Sequence, residues 1–195
     1  MDLKNICVYL GSNTGRTPVY VEQARGLGRE LARRGIGLVY GGSNVGLMGA
    51  LADAALEAGG RVVGILPERL QAKEVAHLGL TELHIVATMH ERKHMMAEMS
   101  DGFIALPGGA GTLEEIFETW TWAQLGFHAK PCGLLNIAGY YDKLAAFLDH
   151  AAQERFMRQE HRAMLAIEST PAALLDRYAA YQPPTVSKWI TDEGK

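Results

Sequence analysis

The sequence predicts an α/β protein in which a parallel sheet is doubly wound, with helices on both faces. Three observations predict it. Short runs that are apolar at every position alternate with helical patterns almost throughout the chain. Such runs are strands buried on both sides, the habit of parallel sheets, whose crossovers need helices. Glycine is the one unusual count, 22 of 195 residues, or about 11% against a typical ~7%, and many of the glycines follow strands. Finally, 195 residues fit one domain of roughly 100–200 residues with a single sizeable core.

Each element has its own reason. Ile6-Cys7-Val8-Tyr9-Leu10 is a fully buried strand, followed by a glycine loop from Gly11 to Thr17. Pro18 opens a helix whose Val21, Ala24, Leu27 and Leu31 keep a 3.6-residue period. Gly37 to Tyr40 is the second strand, and the glycines from Gly41 to Gly49 lead into a helix carrying Leu47, Leu51, Ala54 and Ala55. Arg61 to Leu66, closed by Pro67, is the third strand and Leu83 to Val86 the fourth. The next helix holds Arg92 with Met95, Met96 and Met99, methionines that read with Met89 as core or subunit-contact residues. Phe103 to Leu106 is the fifth strand, ending in Pro107-Gly108-Gly109, and a helix runs from Thr112 to about Leu125. Cys132 to Leu135 is the sixth strand; Tyr141 to Gln153 is a helix with Leu144, Phe147 and Leu148 on one stripe. Leu165 to Glu168 makes a short last strand. Thr170 as N-cap and Pro171 at the first helical position then start a final helix to about Tyr181. Residues 1–181 are expected to form one Rossmann-like domain, and 182–195, where the pattern fails, a loosely held tail.

Composition removes several classes. Hydrophobic residues at 48% and charged residues at 21% exclude disorder, collagen and coiled coil as whole-chain descriptions. With 19 Lys+Arg against 22 Asp+Glu, a net charge of −3, no electrostatic footprint for nucleic acid or an anionic membrane is visible. No apolar run approaches the roughly 20 residues of a membrane helix, and Met1 to Asn5 leads straight into a strand without the apolar core of a signal peptide. Cys7 and Cys132, far apart and without a CxxC, read as buried reduced thiols. A cytoplasmic protein is expected.

In doubly wound sheets ligands bind beyond the carboxyl ends of the strands, where the glycine loops after the first, second and fifth strands all lie. Pro107-Gly108-Gly109-Ala110-Gly111-Thr112 is the strongest local signal. Glycines let a ligand approach the backbone, and the free amides of the following helix start make an anion site. Thr112 can cap that helix or donate to a phosphate. No Lys follows as a P-loop requires, and the last glycine of the dinucleotide fingerprint is missing. The bland alternative is a tight strand-to-helix turn. Glu114 and Glu115 follow at once; a carboxylate beside an anion pocket suggests chemistry on the part of a ligand next to its phosphate, while a solvated helix start accounts for the other. In the second loop, Gly42, Ser43 and Asn44 can line a nucleotide site and Gly46 and Gly49 allow close packing; binding and packing weigh equally there. Gly11-Ser12-Asn13-Thr14-Gly15 is weaker still.

His90-Glu91-Arg92-Lys93-His94 spells the zinc-peptidase pattern HExxH, with two histidines on one helix face. Both intervening residues are cationic, no clear third ligand follows, and a solvated charged helix is the better reading; no metal or cofactor is expected. Arg92 and Lys93 instead sit just past a strand end, where a guanidinium can reach the phosphate loop or Glu115.

Taken together, Met89-His90-Glu91-Arg92-Lys93 and Pro107-Gly108-Gly109-Ala110-Gly111-Thr112-Leu113-Glu114-Glu115 resemble the LOG family of cytokinin-activating phosphoribohydrolases, often labelled "lysine decarboxylase". The family pattern PGGxGTxxE is matched without a gap, ending on Glu115. The likeness extends through Val39-Tyr40-Gly41-Gly42, Thr121 to Gly126 and Gly133 to Asn136, from Ile6 to about Tyr178. It implies hydrolysis of the N-glycosidic bond of a nucleoside 5′-monophosphate, with Arg92 and Glu115 as the catalytic pair. It implies further that Gly108, Gly109, Gly111 and Thr112 hold the 5′-phosphate. Glu74, Met89, Lys93 and Thr121 match substrate-contacting positions, and Gly42, Asn44 and Gly46 border the nucleotide. A homodimer with its active site near the interface is implied as well. Ala110 departs from the aromatic residue that plant members often carry.

Such a reaction develops oxocarbenium character on the ribose. Glu115 can stabilise that charge or activate the attacking water; Arg92 can fix Glu115 and the sugar hydroxyls or donate toward the leaving base. The rival from another class is a non-catalytic nucleotide or molybdenum-cofactor binding protein on the same fold. It would need no charge pair beside the glycosidic carbon. An amino-acid decarboxylase has no support, since nothing resembles a pyridoxal-phosphate lysine site.

Overall fold

The computed structural model describes residues 2–71 and 76–184. Glu74 and, within the expected tail, residues 185–195 therefore lie outside the described residues; Gln182 to Pro184 are neither helix nor strand. Seven strands form one sheet: β1 (Asn5–Tyr9), β2 (Gly37–Tyr40), β3 (Val62–Pro67), β4 (Glu82–Val86), β5 (Gly102–Ala105), β6 (Cys132–Leu135) and β7 (Leu165–Glu168). Their order is β4-β3-β2-β1-β5-β6-β7 and every pairing is parallel. β1 is central, registered with β2 through Cys7↔Val39 and with β5 through Val8↔Ile104.

The helices are α1 (Val19–Arg33), α2 (Gly46–Glu57), the short α3 (Glu68–Gln71), α4 (Met89–Glu98), α5 (Ala110–Gln124), α6 (Asp142–Gln153), α7 (Gln159–Ala163) and α8 (Pro171–Ala179). Period-two alternation along the strands divides the core into two layers. Ile6, Val8 and Leu10 face α1, α2 and α8 through Leu27, Leu31, Leu51 and Leu174. Cys7 and Tyr9 face α4, α5 and α6 through Met96, Ile116, Trp120 and Leu148. Burying strands on both faces explains why their sequences read as continuous apolar runs.

Several boundaries differ from expectation. Pro67 ends β3 from inside the ladder, in register with Val86, a position where its missing N–H disturbs only the last rung. β1 and β5 each start and stop one residue early, yet their loops stay tied: Leu106 N–H donates to Tyr9 O at 2.9 Å and Gly11 N–H to Pro107 O at 3.2 Å. α5 begins at Ala110 with Gly109 as its N-cap, so Thr112 lies in the first turn and caps nothing. Phe147 does not join the buried stripe of α6; it is 63% exposed while Leu148 is buried. α8 ends at Ala179, but its start is as expected, with the Thr170 hydroxyl accepting from Ala173 N–H at 3.3 Å. Neither α3 nor α7 announced itself, since four or five residues are too few to show a helical period. Met96 is buried in the second layer with Met95 and Met99 packed on it, whereas Met89 is exposed.

Candidate active site

Strand order reverses between β1 and β5, the point where a doubly wound sheet opens a crevice. β1 leads to α1 on one face and β5 leads to α5 on the other, so the two loops diverge and leave a cleft of about 430 Å³, the size of a small-ligand site. One wall is the first loop, Gly11 to Asn13 with Gly15, and Tyr20 behind it; the other is Pro107, Gly108, Gly109, Gly111 and Thr112. Leu47 and Met48 of α2 line one side, Tyr140 another, and Arg92 and Glu115 are both exposed to the same space.

Arg92 is positioned by the start of α4. Thr88 caps that helix by accepting from Glu91 N–H at 3.1 Å, and Glu91 in turn accepts from Ala87 N–H at 2.9 Å. The glutamate of the apparent zinc motif is thus a capping partner, while exposed His94 pairs with Glu98 at 3.2 Å. Among the described residues no group of three or more His, Cys, Asp or Glu side chains is placed to hold a metal. From the first turn of α4 the buried Arg92 side chain crosses to the end of β3, where Nε donates to Ile65 O at 3.1 Å. Nη1 stands 3.5 Å from Glu115 Oε1, with the side chains 10% and 12% exposed. Gly41 makes this path possible: a Cβ there would run into Arg92 Nη2.

Glu115 comes from the second turn of α5 and points inward, whereas its neighbour Glu114 points outward. Lys93 binds Glu114 at 2.6 Å and Glu118 at 2.8 Å. Burial alone would lower its pKa, but hydrogen bonds to Glu114 and Glu118 outweigh this and raise it. Lys93 therefore joins α4 to α5 and is not among the residues lining the cleft. Beneath the pair, burial pushes the Tyr9 phenol well above its usual range, with Cys7 and then Glu115 adding to the rise. Burial likewise pushes the Cys7 thiol up, and Cys132 up to about 12. Both cysteines are buried and stay protonated, which disqualifies them as nucleophiles.

The glycine loop after β5 is open on its cleft side. Nothing lies within 4 Å of a Cβ built on Gly109 or Gly111, and the first amides of α5 have no acceptor within the helix. Thr112 is buried with its hydroxyl against Gly108. Among the described residues, the other expected contacts (Gly42, Asn44, Gly46, Met89 and Thr121) are not in the cleft lining. Gly42, at φ +76°, packs over β3 near Ile65 and Leu83; Asn44 is exposed. Gly46, at φ +58°, lies on the backbone of Ser12 and Asn13 and lets two loops touch. Thr121 is half-buried six residues beyond Glu115, rotated about 240° around the helix axis. Met89 sits at the rim, its Sδ 3.9 Å from Arg92 Nη1. Sequence reasoning missed Leu47, Met48, Tyr20 and Tyr140 as lining residues and Gly41 as the support of Arg92; only the Gly41-Gly42 doublet offered a local signal.

Fold and cleft together define the class, a Rossmann-like protein whose switch-point crevice joins a glycine loop at a helix start to a largely buried guanidinium–carboxylate pair. The family described as possible lysine decarboxylase matches residues 48–178. The cytokinin riboside 5′-monophosphate phosphoribohydrolase of Rhodococcoides fascians is 52% identical over 165 residues, covering 84% of this chain and 83% of that one. Its counterpart named LOG7 in Arabidopsis thaliana is 45% identical over 193 residues, 97% of this chain and 89% of that one. Among solved structures, the molybdenum cofactor binding protein of Rippkaea orientalis superposes with a TM-score of 0.68 at 25% identity, over 92% of this chain and 98% of that one. The molybdenum cofactor carrier protein of Chlamydomonas reinhardtii gives 0.69 at 21% identity, over 92% and 100%, a likeness of fold. The chain belongs to the LOG family of phosphoribohydrolases.

Proposed function

We propose that this protein hydrolyses the N-glycosidic bond of nucleoside 5′-monophosphates, AMP or N6-modified AMP, to give the free base and ribose 5-phosphate. The observation that carries this is the Arg92–Glu115 pair, 3.5 Å apart, facing the same cleft as the glycine loop. The amides at Gly109, Gly111 and Thr112 receive the 5′-phosphate at the positive end of α5. That anchorage places the anomeric carbon toward Glu115. As the bond to the base lengthens, positive charge grows on the sugar, and the carboxylate beside it stabilises that charge and orients the incoming water. Arg92, braced by Ile65 O, holds Glu115 in place and offers its remaining N–H groups to the sugar hydroxyls.

The reading takes residues 1–181 as a single nucleotide-binding domain of a cytoplasmic homodimer. Exposed Ile85 and Met89, apolar side chains beside the start of α4, support a subunit contact near the cleft. A non-catalytic carrier has the fold likeness in its favour, but it would have no use for a buried charge pair at this place. Incubating the purified protein with AMP is expected to release adenine and ribose 5-phosphate. Unchanged AMP, together with unchanged N6-isopentenyl-AMP, would overturn the proposal.

A further inference from the structure

One wall of the cleft is held by a turn that no part of the reaction scheme uses. After β6 the chain passes through Asn136, a short 3₁₀ turn at Ile137–Gly139 and two consecutive tyrosines before α6. Asn136 shapes the turn, its Oδ1 accepting from Tyr141 N–H at 2.8 Å and its Nδ2 donating to Asp142 Oδ1 at 2.7 Å. Ala138 and Gly139 are in the left-handed region, at φ 50° and 71°, a conformation that costs free energy for alanine and persists only where the surroundings fix it. The outcome is that both tyrosines reach back to the loop after β5. Tyr141, buried, donates to Leu106 O at 2.6 Å; Tyr140, 43% exposed, donates to Gly108 O at 2.6 Å.

We propose that Tyr140 is a positioning residue for the anion loop, its hydroxyl fixing the Gly108–Gly109 peptide so that the loop is already set to receive a phosphate. A glycine doublet has wide conformational freedom, and a loop that had to be ordered by its ligand would bind it more weakly. Tyr140 removes that freedom at one peptide plane. It also engages a carbonyl oxygen that would repel a phosphate if it turned into the cleft. The peptide is planar and trans, so holding the Gly108 carbonyl also holds the Gly109 N–H. Tyr140 is itself steadied by edge contacts with Tyr141 at 4.9 Å and Tyr20 at 6.0 Å between ring centroids. The buried Tyr141 secures the root of the loop and the exposed Tyr140 its working part.

This inference rests on the reading of the loop as a phosphate site, and its test separates the two. Tyr140→Phe keeps the ring and deletes the hydrogen bond; Tyr140→Leu deletes both. Both variants are expected to raise KM for AMP by about tenfold and to weaken ribose 5-phosphate binding, measured by calorimetry, by a similar factor. The value of kcat should change by less than about twofold, as when binding common to ground and transition states is lost. Thermal midpoints should stay close to that of the wild type. Turnover of plain adenosine, which carries no phosphate, should be untouched. Unchanged KM and unchanged ribose 5-phosphate affinity in Tyr140→Phe would overturn the proposal, as would a loss confined to Tyr140→Leu or to kcat. Should the wild-type protein bind ribose 5-phosphate but leave AMP intact, the hydrolase reading fails. Tyr140 is then judged by the calorimetry alone.

Discussion

At the scale of single residues, the site is a charge pair kept in place by atoms that carry no charge. Glu115→Gln keeps size and removes the negative charge, so kcat for AMP should drop by roughly 10²–10⁴-fold with the fold intact by circular dichroism; near-normal turnover would remove Glu115 from the chemistry. Gly41→Ala is the sharper test of geometry. Its methyl group would collide with Arg92 Nη2, displacing the guanidinium from Ile65 O, so AMP cleavage should fall by at least tenfold. A crystal structure of that variant with Arg92 unmoved, or kinetics equal to wild type, would show the contact to be idle. That Arg92 reaches Glu115 was legible in the sequence because the motifs around the two are contiguous. The contacts of Gly41 and Tyr140 were not: each meets a partner from another crossover, 51 residues away for Gly41 and Arg92 and 32 for Tyr140 and Gly108. Local pattern says nothing about which loops meet. Lys93 differs from its neighbour Arg92: the helix turns it toward Glu114 and Glu118.

At the scale of elements, strands and long helices were legible because burial on two faces, or on one stripe, leaves a period in the sequence. Loop-to-helix joints were less so, as at Thr112, where backbone amides rather than a side-chain cap begin α5. Charge patterning gives the element-level prediction. Glu30 on α1 accepts from Arg33 at 2.6 Å and 2.8 Å and from Arg34 at 2.7 Å, and Arg34 continues to Asp176 on α8 at 2.7 Å. Hydrogen bonds from Arg33 first, and from Arg34, hold the Glu30 carboxyl down at about 2 against an ordinary 4.5. The unfolded chain therefore takes up a proton before the folded one does as pH falls. The contribution is complete above about 4.5 and drains away toward about 2. Solvent screening keeps it small. Urea denaturation of Glu30→Gln should show lower stability than wild type at neutral pH and convergence with it in acid; parallel curves at every pH would contradict the assignment.

At the scale of the whole molecule, the glycine loop and the charge pair are separate parts of one crevice, and on the proposed reading the phosphate should act as a handle remote from the broken bond. AMP is therefore expected to be cleaved far faster than adenosine, with kcat/KM differing by at least 10²-fold. Comparable rates for both, followed by chromatographic release of adenine, would dismiss the phosphate cradle. The doubly wound order was legible in outline, since alternating strands and helices permit few parallel arrangements. The dimension that stayed hidden was depth: which glycines touch backbone, which open to solvent, and which aromatic ring closes the far wall.

The central place of β1 has a consequence for how the molecule is made. On a ribosome β1 emerges before the other strands of this sheet and can pair with β2 as soon as that strand follows. Its other edge, from Ile6 to Tyr9, stays without a partner until Gly102 to Ala105 arrive, nearly a hundred residues of synthesis later. Until then a nascent chain has an exposed apolar edge and only half a crevice, and such long-range parallel pairing is slow to form. Ligand-holding capacity should therefore appear abruptly, once translation has passed Tyr140, which closes the cleft from beyond α5, and not grow in step with chain length.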